Sequence, residues 1–406
     1  MSDERPGSMP ASGPLAGIRV LELGQVIAGP FCGQLLGDLG ADVIKVEPPG
    51  AGDVLRQWGK GDAPGGSVWW QVAARNKRSV TIDLRQPDGQ QLCRDLAATA
   101  DILIENFRPG TLEKWGLGWD ALHELNPRLI LVRISGYGQT GPFAQLPGYA
   151  AVGEAMGGLR SLVGYPDRPP TRVGVSLGDS LAGMFGAIGS LAALEARHRT
   201  GRGQVVDASI YESVLGITES LVADWSALQH RRERSGPILP GIAPSNIYPA
   251  ADGEVIIAAN QDGVFARLCV AMGEPELATD PRFHDHRARG ERQAELDDII
   301  AAWSGTVPSA ELLERLRAAA VPSGLLYSPA DMMDDAHMRA RSSLVEVPTD
   351  GYGPVTMQAA FPTLSDTPGG VRWAGRSLGA DTDDVLRDVL ELSEERVAEL
   401  RDAGVI

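Results

Sequence analysis

Short aliphatic runs alternate with helix-patterned segments through the first third of the chain, and this alternation restricts the fold more than any other feature. The runs are 17–23 (GIRVLEL), 41–47 (ADVIKVE), 79–84 (SVTIDL), 101–107 (DILIENF) and 128–135 (RLILVRIS). Between them lie a small-residue-rich helical stretch at 28–40, a helix begun by Pro87 and Asp88, and a helix around 120–125. Apolar runs this short, bounded by turn residues, read as strands. Strands separated by helices are too far apart in sequence for tight hairpins and make a parallel sheet wound with helices on both faces. The expected class is α/β: a Rossmann-like, doubly wound parallel sheet in a large domain, with a smaller α/β domain after it.

The boundaries follow from composition. Residues 1–13 are polar and rich in Pro, Gly and Ser, without the apolar stretch of a secretory signal, and are assigned to a disordered N-terminus. The large domain is placed at 14–222. Residues 223–246, with the charged run HRRER and the Pro/Gly-rich SGPILPGIAPS, read as a linker. A small domain follows at 247–335, with a strand at 253–259 and helices at 263–273, 288–303 and 309–320. Residues 336–406 are a return linker and a C-terminal segment completing the large domain, with a short strand after about 352 and a final helix at 383–400.

A net charge of −16 argues against nucleic acid or an anionic membrane surface as partner. The longest apolar run, 181–194, is interrupted by glycines and too short to span a bilayer. Cys32, Cys93 and Cys269 are scattered without metal-ligand or disulfide spacing, which fits a reducing, cytoplasmic setting. His284 and His286 form an H-x-H without a third ligand nearby, so no metal is expected. No G-x-G-x-x-G or Walker loop opens the first helix, which weakens a dinucleotide or nucleotide reading. Ligands of wound sheets bind beyond the carboxyl ends of the strands. The segments to inspect are therefore 24–30, 48–53, 107–110 and 136–142.

The segment 171–206 carries the most chemical information. Asp179 stands at the start of a long helical run in which Gly183, Gly186 and Gly189 recur every three residues. Each glycine costs roughly 1 kcal/mol of helix propensity against alanine, so the row implies close approach by another backbone or by a ligand. By local pattern Asp179 is a cap or first-turn acid, stabilised by the helix dipole. The same position suits a carboxylate nucleophile, with Gly178 leaving room for an electrophile.

Long blocks of the chain are recognisable: PLAGIRVLELGQVIAGPFCGQLLGDLGADVIKVEPPGAGD at 14–53, NKRSVTIDL at 76–84, and ADILIENFRPGTLEKWGLGWDALHELNPRLILVRISGYGQTGP at 100–142. GDSLAGMFGAIGSLAAL at 178–194, TGRGQVVDASIYESVL at 200–215 and SLGADTDDVL at 377–386 continue the series. In this order they resemble the class III CoA-transferases along nearly the whole chain. The resemblance implies a CoA-transferase in which Asp179 is the acyl-accepting nucleophile. Coenzyme A and acyl-CoA enter as substrates, and no cofactor is permanently bound. It implies an interlocked homodimer whose site lies between one chain's large domain and the partner's small domain.

The resemblance also implies the coenzyme's contacts. Ile27 and Ala28 match positions lining the adenine site. Leu84 and Arg85 match positions at the adenosine end, and Asn106 and Phe107 follow the fourth strand. Arg108 and Lys114 match basic positions that meet the phosphates, as suits clustered negative charge. Pro48 stands where formyl-CoA transferases carry an Arg, and Gly138, Tyr137 and Tyr149 flank the expected site. α-Methylacyl-CoA racemases share the resemblance but need a second base, a His, where this chain has Tyr149 followed by Ala150. A purely binding or scaffold role is a third reading. The glycine-rich loop of formyl-CoA transferases is absent, with GIAPSNIYPAADG at 241–253 instead. GYGQTGP and VLELGQVIAGPF lean towards dicarboxylate substrates such as succinate, glutarate, citramalate, mesaconate or itaconate.

Overall fold

Six parallel strands, β1 (Arg19–Glu22), β2 (Asp42–Glu47), β3 (Lys77–Thr81), β4 (Ile102–Glu105), β5 (Ile130–Ser135) and β6 (Val205–Ser209), pair in the order β3-β2-β1-β4-β5-β6. The computed structural model describes residues 13–63 and 65–406. Apart from Gly13, the terminus expected to be disordered lies outside the described residues. The five strands read from the aliphatic runs are present, four with trimmed ends and the third shifted from 79–84 to Lys77–Thr81. β6 is an addition to that reading. It is an edge strand whose first three residues are at least partly exposed, so VVDAS lacks the continuous apolar run of a strand buried on both faces.

Side chains alternate between two cores. Leu21, Leu23, Ile44, Val46, Val80, Leu103 and Leu131 face the helix Pro87–Thr99 and the C-terminal helices. Val20, Val43, Ile102, Ile104, Ile130 and Val132 face the helices Ala28–Asp38 and Leu177–Thr200. At roughly 25 cal/mol per Å² of apolar area, burial on both faces dominates the favourable side of folding. The final helix expected at 383–400 is two helices, Thr382–Asp388 and Glu394–Asp402. The chain breaks at 389–393, where Glu391 takes φ 55° and the Ser393 side chain caps the second helix by accepting the Arg396 N–H.

Leu177–Thr200 is long and apolar enough to cross a bilayer by length and composition alone. It is a core helix here, with Ala182, Gly186, Ala187, Ser190, Ala193 and Leu194 buried. Its glycine row allows the close approach that the spacing implied, and protein supplies the neighbours. A Cβ at Gly183 would lie 2.8 Å from the Ala28 carbonyl oxygen, one at Gly186 3.3 Å from Cys32 Sγ, and one at Gly189 2.5 Å from Val206 Cγ1.

Contact clustering divides the chain into two compact units. The first comprises the described residues up to Leu159, with Val173–Ala223 and His337–Ile406; the second comprises Arg160–Arg172 and Asp224–Ala336. Residues 224–246, read as linker, therefore pack within the second unit, together with 160–172. The Arg234 guanidinium donates to the carbonyls of Tyr165, Pro166 and Arg168, and Gly236 N–H donates to the Gly164 carbonyl. That unit holds an antiparallel sheet, β7 (Ser245–Ala250), β8 (Gly253–Ala258) and β9 (Ser323–Leu325). Its core is built from Tyr248, Val255, Ile257, Phe265, Phe283 and Leu312 among others. The first unit also contains an antiparallel hairpin, β10 (Leu344–Thr349) with β11 (Gly353–Gln358).

Candidate active site

β1 and β4 are neighbours, and the sheet winds outward from them in both directions. A wound sheet opens its ligand crevice at such a switch point, beyond the carboxyl ends of the strands. The loop after β1 contains Gln25, Val26 and Ile27; the loop after β4 contains Asn106, Phe107 and Arg108. Asn106 stitches the two together. Its Oδ1 accepts the Gln25 N–H at 2.8 Å, and its Nδ2 donates to the Gln25 carbonyl at 2.8 Å. Two glycines make the approach possible: a Cβ at Gly24 would lie 3.3 Å from Asn106 Oδ1, and one at Gly29 3.3 Å from Asn106 Cγ.

Val26 takes φ 67°, a left-handed conformation that a β-branched residue rarely adopts. Both carboxylate oxygens of Asp53 hold it there, accepting its N–H at 3.0 and 3.1 Å. Asp53 in turn pairs with the buried ammonium of Lys45 at 2.9 Å. Burial pushes the Asp53 carboxyl up, but Lys45 and the backbone amides outweigh it and hold its pKa below the ordinary value. Ile27 is the half-buried residue preceding the helix Ala28–Asp38, whereas Ala28 is buried, its side chain in the core and its carbonyl against Gly183.

The long helix brings Asp179 to the same edge. At its C-terminal end the Arg197 guanidinium donates to Asp101 Oδ1 at 2.9 Å and to the Arg128 carbonyl at 3.0 Å, both just before strands β4 and β5. Near its N-terminal end Gly183 abuts Ala28, just after β1. The helix therefore runs antiparallel to the strands, with its N-terminus at their carboxyl edge. Asp179 is its third residue, half-buried, in the first turn, where the dipole favours negative charge. It lies one turn, about 6 Å of rise, before Gly183.

The other sequence-derived positions are spread around this edge. Tyr149 is 78 % exposed and precedes the helix Ala150–Met156, whose first carbonyl would sit 3.5 Å from a Cβ at Gly178. Gly138 takes φ 87°, as its tight turn demands; its N–H donates to Ser135 Oγ, and the next amide, Gln139 N–H, donates to Asp207 Oδ2 at 2.9 Å. Arg108 and Lys114 are exposed, and neither enters an ion pair among the described residues. Phe107 is half-buried, edge-on to Trp115 with ring centroids 5.2 Å apart. Leu84 is buried in the first core. Arg85 is exposed and paired with Asp83, whose carboxyl this guanidinium holds down at about 2. Leu84 and Arg85 follow β3, three strands from β4, roughly 14 Å at the usual strand spacing. They are thus separate from the switch point.

Beneath the loops lies a layer of buried charge. Lys45 Nζ pairs with Glu22 at 3.0 Å, Lys77 Nζ with Glu22 at 2.8 Å, and Arg56 forks onto Glu47 with two bonds of 2.7 Å. Arg133 joins Glu105 at 2.7 Å to Glu113 at 2.8 Å, and Glu105 accepts the Phe107 N–H at 2.7 Å. Burial lifts the Glu105 carboxyl to about 7 against the opposing pull of Arg133. Among the described residues no group of three or more His, Cys, Asp or Glu side chains is arranged to hold a metal ion.

The sequence matches the model of the CoA-transferase family III over residues 15–382. The chain belongs to this family. It is 53 % identical, over the full length of both chains, to succinyl-CoA–D-citramalate CoA-transferase of Chloroflexus aurantiacus. It is 44 % identical to the beta subunit of succinyl-CoA–L-malate CoA-transferase from the same organism, with 97 % of this chain and 98 % of the relative aligned. Among solved structures, a CAIB/BAIF family protein from Brucella suis superposes with a TM-score of 0.82 at 35 % identity, covering 93 % of this chain and all of that one. The protein is thus a CoA-transferase, and the substrates of its family are CoA thioesters.

Several residues that shape this CoA-transferase's crevice escaped the reading of the sequence. Asp53, Glu22 and Lys45 build the support for Val26, and Glu154 reaches the start of the long helix. A signal existed for the strand residues. Glu22, Lys45, Glu47, Glu105 and Arg133 interrupt otherwise apolar runs near their carboxyl ends, and buried charge demands a partner. No comparable signal marked Glu154.

Proposed function

We propose that this CoA-transferase moves CoA from succinyl-CoA, or a similar dicarboxyl-CoA, to a carboxylic acid acceptor, with Asp179 as covalent nucleophile. The observation that carries the reading is the place of Asp179: first turn of the long helix, half-buried, at the carboxyl edge beside the switch-point crevice. The names of the two Chloroflexus relatives, both succinyl-CoA enzymes acting on dicarboxylates, support the substrate class.

The cycle balances without an external proton or electron. An Asp179 carboxylate oxygen attacks the donor thioester carbonyl, and collapse expels the CoA thiolate to leave an aspartyl–acyl anhydride. The thiolate attacks the aspartyl carbonyl, releasing the donor carboxylate and leaving an aspartyl-CoA thioester. The acceptor carboxylate attacks that thioester, forming a second anhydride and freeing the thiolate again. Attack of the thiolate on the acceptor's acyl carbon gives the new thioester and restores Asp179. Backbone N–H groups at the glycine-rich edge stabilise each tetrahedral oxyanion. No permanently bound cofactor takes part.

Ile27, the backbone of Ala28, Asn106, Phe107 and Gly138 border the crevice for the coenzyme, with Leu84 and Arg85 reached by its far adenosine end. Arg108 and Lys114, exposed and outside the ion pairs, are placed to meet phosphates. Tyr149 and Ala150 supply no second base, which disfavours the racemase chemistry. An interlocked cytoplasmic homodimer of Rossmann-like large domains accounts for exposed apolar side chains in each unit, such as Phe185, Ile188 and Val222 in the first and Trp225, Leu228 and Met333 in the second. The free, buried cysteines fit the same compartment.

The test is chemical trapping. Enzyme incubated with succinyl-CoA and quenched with hydroxylamine should carry a hydroxamate at Asp179 in its peptide mass spectrum, and D179N should lose both adduct and transfer. Turnover on an unmodified enzyme, or α-proton exchange in an acyl-CoA without transfer, would overturn the proposal.

A further inference from the structure

The start of the long helix is held by a carboxylate from a different element. Glu154, on the helix Ala150–Met156, is 1 % exposed, and its Oε1 accepts the Gly178 N–H at 3.2 Å. Gly178 is the second residue of the helix and the immediate neighbour of Asp179. At a helix start the first amides lack intrahelical acceptors, and an oxygen from a residue at the N-cap ordinarily accepts one of them. Ser176, at the N-cap, makes no such side-chain cap bond, so Glu154 performs that task from outside the helix.

The packing leaves the amide little freedom. A Cβ at Gly178 would lie 3.1 Å from Glu154 Cγ, 3.1 Å from Ile210 Cγ2 and 3.5 Å from the Ala150 carbonyl oxygen. The backbone just before Asp179 is thus packed against the Glu154 helix and tied to its carboxylate. Gly153 and Gly157, flanking Glu154, carry the same close packing: their Cβ atoms would meet Ile210 Cγ2 at 2.6 Å and Val214 Cβ at 2.7 Å. Glu154 is consequently anchored by its own helix and cannot drift with the one it caps.

We propose that Glu154 is a positioning residue for the reaction. By fixing the Gly178 amide it sets the direction in which the Asp179 carboxylate meets the thioester carbon. The inference rests on Asp179 being the nucleophile. A carboxylate displaced by about 1 Å from its attack line loses on the order of 100-fold in rate, while coenzyme binding along the sheet edge is left intact.

The experiment compares three variants in the full-length enzyme, with thermal unfolding recorded for each. E154Q keeps an acceptor oxygen at the same reach and should retain kcat within about threefold, whereas E154D withdraws the oxygen by one methylene and E154A removes it. Both of these should lose kcat by about 10- to 100-fold, with the acyl-CoA KM within about twofold of the parent. If E154A fails to fold, the contrast between Gln and Asp decides alone. Activity restored by Asp but not by Gln would assign the effect to charge rather than to the amide bond, and equal activity of Ala and Gln would remove the role altogether; either result overturns the proposal. A parallel D179N assay separates this from the reading beneath it: turnover in D179N refutes the nucleophile, whatever the Glu154 series shows.

Discussion

Replacing Asn106 with alanine cuts the one side chain that joins the two loops of the switch point. Two hydrogen bonds are lost, each 2.8 Å long and each to the Gln25 backbone. A hydrogen bond of this kind contributes about 1 kcal/mol net, and a partly buried group left without its partner costs up to about 1 kcal/mol more. Gln25 is only half-buried, so water recovers part of the second contribution. The sum is about 2–3 kcal/mol, and it falls on a loop already carrying the left-handed Val26. If the coenzyme binds only the stitched arrangement, the loss appears in kcat/KM as about a 30- to 160-fold decrease, at 1.36 kcal/mol per tenfold. Global stability measured in urea should fall by no more than the same amount, because the loops can open without unfolding the sheet. N106D serves as the control. It keeps an acceptor for the Gln25 N–H but sets a carboxylate oxygen against the Gln25 carbonyl, so it should be at least as impaired as N106A. Unfolding within about 0.5 kcal/mol of the parent, the usual scatter of a neutral surface change, together with unaltered kcat/KM would refute the reasoning.

Two further outcomes follow from the buried charge. A Cβ at Gly33 would lie 1.9 Å from Glu22 Oε2, the oxygen paired with Lys77, so G33A must break a fully buried ion pair. The expected loss is about 3–5 kcal/mol, seen as a large fall in Tm or as insoluble protein, whereas an alanine at Gly174, which has open space and no positive φ, is the mild comparison. Glu105, lifted to about 7 by burial, holds its proton in the folded state at pH values where the unfolded chain has lost it. Its contribution is therefore fully present below about pH 4.5 and fades as pH rises towards 7, on the order of 3 kcal/mol for a shift of this size. Urea unfolding at pH 5 and pH 7.5 should show that decline in the parent and a smaller one in E105Q; parallel declines would refute it.

The four inner strands were legible because a strand buried on both faces must be largely apolar, and runs such as ILIE and LILV have no other stable use at that length; β3, at the other edge, was read two residues late. The edge strand β6 was not, since solvent on its outer side frees it from that requirement. Asp179 could be placed in a first helical turn from its neighbours alone, but its direction came only with the Arg197 contacts at the far end of the same helix. Long-range contacts of this type leave no periodic trace. Arg234 shows the same limit: its charge and the nearby glycines and prolines looked like a solvated linker, whereas its guanidinium is spent on three carbonyls some 66 to 69 residues away.

The charges that interrupt the apolar strands share one task, which explains their cost. Glu47 accepts the Asp53 N–H at 3.0 Å, and Asp53 accepts that of Val26. Glu105 accepts the Phe107 N–H at 2.7 Å. In each case a carboxylate at or beyond a strand's carboxyl end receives an amide from the loop at the site. Such amides have no sheet partner once the strand has ended, and a buried carboxylate is a stronger acceptor than a carbonyl. The desolvation that this demands is offset by cations placed one layer below: Lys45 for Asp53, Arg56 for Glu47 and Arg133 for Glu105. Glu154 at Gly178 extends the device from strand ends to a helix start. The crevice is thus shaped by backbone held from beneath, while the side chains of Arg108 and Tyr149 above it stay exposed.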